Sequence, residues 1–275
     1  LRARRRAAEA PLRAFLTTIQ RSADLALRLH DPYAARCALA GLVRWAQAGA
    51  WLGEMRQKQA AYQRNWDLAG AALAYLKVRR FASAHERGVI EPWLLRWAHA
   101  NAAFFARKGV KRNNHVYWMG LGALATGLAT QQPALIARAR EVMHEAAGAI
   151  RDDGALPLEL ARGSRALHYH AFALTPLTLM AELAARGLGE DWYALERGAV
   201  HRLTALTASA LERPSTFAAL TGTRPHRATK PGYGWLYLYR ARHPGRLAGV
   251  ALDIPTHHRW LGGDVRLWRL WRPAR

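Results

Sequence analysis

Cysteine is almost absent. Cys37 stands alone among 275 residues, so no intrachain disulfide forms and no CxxC zinc or redox motif exists. Acidic side chains are scarce: 19 Asp and Glu face 41 Lys and Arg, a formal charge of +22. Such a field draws polyanions, and nucleic acid, anionic lipid and acidic polysaccharide all qualify. A long hydrophobic run is missing too. The longest uncharged stretch, 116–137, is interrupted by Gly120, Gly122, Gly127, Gln131, Gln132 and Pro133. Its solid apolar part, about 15 residues, is short of the ~20 that span a bilayer, so no membrane span is expected. The low hydrophobicity of a disordered basic chain is also absent, since 51% of residues are hydrophobic and 11 are Trp, enough for a substantial core. The chain opens at Leu1 rather than Met, with Arg2, Arg4, Arg5 and Arg6 close behind, and reads as a product trimmed of any leader.

What is present is helix after helix. Apolar residues Leu12, Phe15, Ile19, Leu25 and Leu29 recur at helical spacing, and Asp31-Pro32 breaks the pattern. Helices are predicted over 11–29, 34–52, 58–79, 91–107, 115–130, 134–150, 168–186 and 192–212, joined by the short connections of antiparallel neighbours. No strand is predicted before residue 213. Beyond it the composition shifts to Pro214, Gly222, Pro225, Pro231, Gly232 and Gly234, and residues 214–275 carry 11 basic side chains against Asp253 and Asp264. An irregular basic lobe is predicted there, packed through Trp235, Trp260, Trp268 and Trp271. No linker interrupts residues 1–275, which read as one all-α domain. No fixed period supports a repeat solenoid.

Two segments are unusual for helical scaffolding. Asn113-Asn114-His115-Val116-Tyr117-Trp118 places two amides and an imidazole at the mouth of an apolar helix; the plain reading is a capped helix start, because Asn caps well. Residues 153–170, DGALPLELARGSRALHYH, approach another helix through Gly and Pro and enter it at a cluster of Arg, Tyr and His. Together they supply a carboxamide, an imidazole, a guanidinium and a phenol. Those groups suit β-elimination on a uronate polymer. The proton on C5 is weakly acidic beside an ionised carboxylate, so the carboxylate must be neutralised by Arg and amide donors. A base then takes the proton and an acid protonates the departing C4 oxygen. A phenol fills both roles where neighbouring cations favour its ionised form.

The two motifs, NNHVYW at 113–118 and DGALPLELARGSRALHYHAFAL at 153–174, together with QAAYQRNWDLAGAALAYLKVR at 59–79, resemble the alginate lyases of polysaccharide lyase family 5. The resemblance extends more loosely over the chain from residue 11 onward. It implies an incomplete (α/α) toroid of antiparallel helix hairpins with a deep cleft. It also implies metal-independent elimination on mannuronate-rich alginate with no cofactor, and a periplasmic or secreted location. Carried over by motif, Asn114 and His115 contact the substrate carboxylate, Arg162 completes its neutralisation and Tyr169 is the catalytic phenol, with His115 the rival base. Gln59, Tyr62 and Trp66, at i, i+3 and i+7, share one helix face and line the cleft in that family; without the resemblance Trp66 reads as core. Arg165 and Arg259 are further candidates for substrate contact.

Two departures stand out. Ala171 follows the HYH where the family usually has Asn, and the chain begins about where the family's mobile basic lid would end. A nucleic-acid-binding protein is the competing class, but no helix-turn-helix, zinc, RRM or KH signature is present, and no nucleic-acid partner is expected. Two more functions fit the same residues: a toroid that binds alginate without cutting it, and a lyase for another polyuronate such as glucuronan. His168 and His170 point in roughly opposite directions on a helix and make a poor metal pair. His257 and His258 have only Asp253 nearby in sequence and read as a solvated loop. No metal site is expected, and a monomer is.

Overall fold

In the computed structural model the described residues are 2–226, 233–247, 250 and 255–273. Pro231, Gly232 and Asp253, noted above, lie outside them. The helices are α1 (Arg2–Leu29), α2 (Pro32–Gln47), α3 (Lys58–Val78), α4 (Ala84–Phe105), α5 (Asn114–Thr130) and α6 (Pro133–Ala149), then the single turn α7 (Pro157–Leu160). They continue with α8 (Ala166–Gly187), α9 (Leu195–Glu212), α10 (Ser215–Thr221) and α11 (Gly234–Arg242). A hairpin of two-residue strands, β1 (His257–His258) and β2 (Gly263–Asp264), follows, with His257 opposite Asp264.

Local chemistry sets the boundaries. Asp31 accepts the amides of Tyr33 and Ala34 ahead of Pro32 and so restarts the chain as α2. Ser83 and Glu86 form a reciprocal capping box. That box starts α4 seven residues before the apolar periodicity does, and Pro92 is accommodated inside the helix. Helix α9 is regular only past a left-handed turn at Glu196, Arg197 and Gly198.

The helices alternate between two layers. α3, α5 and α8 are buried nearly all round, as helices without a polar face must be; α2, α4, α6 and α9 pack outside them. This is the incomplete (α/α) toroid. α5 is its axle, and Gly120 permits the close packing: a Cβ there would meet Val142 of α6 at 2.7 Å and Met180 of α8 at 3.0 Å.

The C-terminal lobe departs from expectation. It contains helices α10 and α11 rather than irregular chain alone. Short apolar stretches (FAAL, WLYLY) between Pro and Gly carry too little periodicity to be recognised as helices from sequence. Trp235, Trp268 and Trp271 are buried as predicted, and Trp260 is half-buried against Trp66. Gly70 of α3 lets the lobe cross, because a Cβ there would collide with the Arg259 carbonyl. Lys77, at the other end of α3, bonds Asp24 of α1 and the Gly262 carbonyl at 2.6 and 2.7 Å.

Candidate active site

The first turns of α5 and α8 and the N-terminal half of α3 meet at one mouth. Asn113 caps α5 by accepting the His115 amide, which fixes Asn114 and His115 in the helix's first turn. The His115 ring lies flat on Tyr62, centroids 3.8 Å apart and planes 12° apart. Burial, reinforced by the charges of Arg162 and Lys58, holds its imidazole down to a pKa of about 4. His115 is therefore neutral at pH 7. Its Nδ1 is buried without a partner among the described residues.

Arg162 leaves the α7 turn with its guanidinium 4.0 Å from the centroid of the Tyr169 ring, a cation–π contact. Its charge reaches His115 on one side and Glu159 on the other. Tyr169 occupies the first turn of α8 and is half-buried; His168 meets its ring edge-on at 5.2 Å, and Arg165 lies 5.8 Å from its centroid. The approach to α8 is pinned by His170. Wholly buried, it accepts the Leu156 amide at Nε2 (3.0 Å) and donates from Nδ1 to the Ala166 carbonyl (2.8 Å). Ala171, where the family usually has Asn, is buried.

Behind these groups stands an aromatic wall. Trp66 packs on Trp260 at 4.7 Å and on Phe172 at 5.7 Å, and Trp118 meets Phe172, Trp260 and His258. Asp67 lies beside it, bonded by Gln63 (2.9 Å) and the Trp260 indole (3.1 Å). Burial pushes its carboxyl up to about 6, against the pull of Gln63, Arg259 and Trp260. Arg259 lies 4.6 Å over the Trp260 ring.

Three placements differ from the sequence reading. Asn114 is wholly buried, and both its backbone amide (2.9 Å) and its Nδ2 (2.8 Å) donate to Glu159 Oε1. In this geometry its donors serve a carboxylate of the protein. Trp66 is only 8% exposed, with Trp260 packed against it, and stands in the aromatic wall. Gln59 is exposed at the mouth, and Tyr62 is half-buried beneath His115. His257 and His258 are half-buried in strand β1 rather than in a solvated loop, and desolvation holds the His258 imidazole down to about 4.

Glu159 received no role from the sequence, although it lies in the LELARG run three residues before Arg162. Its carboxyl is raised by burial, opposed by the Asn114 donors and by Arg162. The available signal was an acid inside an otherwise basic motif. Asp67 escaped notice because it sits in an apolar helix.

A family profile described as alginate lyase matches residues 19–217, well over half of the chain. A polysaccharide lyase of Stenotrophomonas maltophilia is 43% identical over 94% of this chain and 79% of its own length. The chain belongs to the alginate lyase family. An alginate lyase of Azotobacter vinelandii is 32% identical, over 86% of this chain and 67% of its own. Among solved structures, alginate lyase A1-III from Sphingomonas species A1 superposes with a TM-score of 0.85 at 29% identity, covering 95% of this chain and 76% of that one. A histidine-to-alanine form of alginate lyase A1-III complexed with a tetrasaccharide gives 0.87 at 26% identity, covering 98% and 81%. The matched family region takes in both motifs and the whole mouth of α3, α5 and α8.

Proposed function

We propose that this alginate-lyase family member cleaves 4-linked, mannuronate-rich alginate by β-elimination without a metal, acting as a monomer outside the cytoplasm in the periplasm or beyond. The supporting observation is the Arg162 guanidinium on the Tyr169 ring, with its charge felt at His115. A uronate carboxylate beside Arg162 loses much of the charge that makes its C5 proton hard to remove. The proton leaves C5 to the Tyr169 phenolate, its electron pair forms the C4–C5 double bond, and the C4–O bond breaks. The phenol then returns its proton to the departing oxygen. In mannuronate both C5–H and C4–O lie on one face of the ring, so one phenol serves both steps. Neutral His115, with a pKa near 4, is a weak base for this proton. It orients the carboxylate, whose approach raises the imidazole's own proton affinity.

A second reading keeps the chemistry and changes the polymer. Glucuronate differs from mannuronate only at C2, so the same syn geometry serves it, and the Stenotrophomonas relative is described as a polysaccharide lyase without a named substrate. The test is incubation with polymannuronate, polyguluronate and polyglucuronate in excess chelator, following the ultraviolet absorbance of the unsaturated uronate product. Elimination fastest on polymannuronate, undiminished by chelator, is expected. Absorbance that appears only when a divalent ion is restored overturns the metal-free mechanism, and a preference for polyglucuronate selects the second reading.

A further inference from the structure

Beyond the cleft, a cavity of about 860 Å³ opens between α1, α11 and the C-terminal turn. Arg21, Arg28, Arg240, Arg266 and Arg269 line it, with Asp24 and Asp264 as the acids. Both acids are already engaged: Asp264 with Arg266 at 2.6 Å, and Asp24 with buried Lys77 at 2.6 Å. Among the described residues, neither Arg21 nor Arg28 has an ion-pair or hydrogen-bond partner, and both are exposed. The cavity is remote from the elimination site, since Lys77 follows Trp66 on α3 by about 16 Å of helix rise.

We propose that this cavity is a second binding site for the polyuronate chain, holding its carboxylates while another stretch of the same polymer occupies the cleft. The ligand class rests on the function proposed above. Guanidinium groups match carboxylates in paired, planar geometry. Arg21 and Arg28 stand seven positions apart on one face of α1, about 10.5 Å along the axis. That is close to the length of two sugars in an extended 4-linked uronan, the interval at which carboxylates return to the same side. Leu25 and Tyr237 give the recess apolar surface for sugar faces. A polymer held at both places raises its own effective concentration at the cleft, so the site acts on long chains and leaves short oligomers untouched.

The test compares the full-length wild type with Arg21→Glu/Arg28→Glu and with a control, Arg44→Glu/Arg96→Glu, which makes the same change in net charge on the outer helices α2 and α4. Expected for the first pair is a KM on long polymannuronate at least about fivefold higher. Its kcat/KM on tetramannuronate stays within about twofold of wild type, as for independent sites; the control moves neither. Arg21→Gln/Arg28→Gln shifts KM in the same direction by less, and thermal melts of all variants match. Equal KM increases in test and control pairs overturn the proposal, because the general field is then responsible. So does an unchanged KM.

Retardation in native gels containing polymannuronate reads binding without turnover. If no uronan is cleaved at all, the functional reading fails, and loss of retardation in Arg21→Glu/Arg28→Glu still supports the site. Retardation unchanged there, with binding lost instead to single-stranded DNA or to anionic phospholipid vesicles, overturns it.

Discussion

At the C-terminal end of α3 the Lys77 side chain is fully buried, yet its ammonium has Asp24, the Gly262 carbonyl and, at 4.6 Å, the Trp268 ring as partners. The second Asp24 oxygen accepts the Asp264 amide at 2.8 Å. In the N-terminal half of the same helix, and on the helices beside it, Trp66 Nε1, Asp67 Oδ2, Asn114 Oδ1, His115 Nδ1 and Glu159 Oε2 are buried with no partner among the described residues. Unpaired buried atoms occur elsewhere too, His257 Nε2 in the field of Asp24 and Lys77 among them, but these five belong to residues around His115 and Glu159, and each such atom costs about 1–3 kcal/mol. One end of α3 joins the C-terminal lobe to the toroid. The other lies beside His115, Arg162 and Tyr169, the groups proposed to carry the elimination. Substitutions at the two ends should therefore fail in different ways.

The largest effect is expected at the cleft. Tyr169→Phe should lower kcat on polymannuronate by about 10²- to 10⁴-fold, the range for losing a general acid–base group, while the melting temperature and polymer retardation stay near wild type. A variant retaining more than about a tenth of wild-type turnover would remove Tyr169 from the acid's role and, with it, the motif transfer that placed the site.

Lys77→Ala tests the opposite end. It removes the buried ammonium and leaves the Asp24 carboxylate without its ion-pair partner, and should destabilise the fold by about 3–5 kcal/mol, as breaking a buried ion pair does. Below the lowered melting temperature, kcat per folded molecule should remain near wild type. A kcat loss as large as that of Tyr169→Phe, with an unchanged melt, would dissolve the distinction between the ends.

This contrast also separates what was legible in the sequence from what was not. The buried helices α3, α5 and α8 were readable because each is a continuous stretch rich in Ala and Leu with clear stops on either side. The cleft motifs were readable because NNHVYW and the ARGSRALHYH run place rare groups close together in sequence. Lys77 was not, since its partners lie 53 and 185 residues away and nothing local marks a Lys as buried. The start of α4 was missed for a different reason: its capping box precedes any apolar stripe. Asn114 shows the limit of motif transfer, because the motif names the residue but not the Glu159 carboxylate that its donors meet.

Glu159 offers a finer test of the cleft. Glu159→Gln keeps an oxygen to accept both Asn114 donors, and burial already favours the uncharged carboxyl, so kcat/KM should fall by less than about fivefold. Glu159→Leu strands two donors and should cost about tenfold or more, chiefly in kcat, if Asn114 and its neighbour His115 must be held in place. Equal activity of the Gln and Leu variants would make Glu159 a packing residue only.

The smallest effect concerns pH. Burial holds His115, His170, His201 and His258 at about 4 in the folded chain, against about 6.5 when unfolded. As pH falls from about 6.5 to 4, the unfolded state takes up protons that the folded state refuses, and stability falls. Asp67 acts in the opposite sense. Its carboxyl, near 6 when folded, keeps a proton that the unfolded chain has released, so it adds stability as pH drops through the same window. Glu159 and Glu182, also raised by burial, act in the same sense as Asp67; the four histidines outnumber these three carboxyls, and the net slope should be up to about 1.4 kcal/mol per pH unit for each surplus proton. Melting temperature measured between about pH 7 and 4.5 should decline. His115→Asn should flatten the decline, whereas Lys77→Ala should shift the whole curve down with its slope intact. A melting temperature constant across that window in the wild type would show that the histidines are not held neutral, and the contrast in polar pairing along α3 would lose its support on the cleft side.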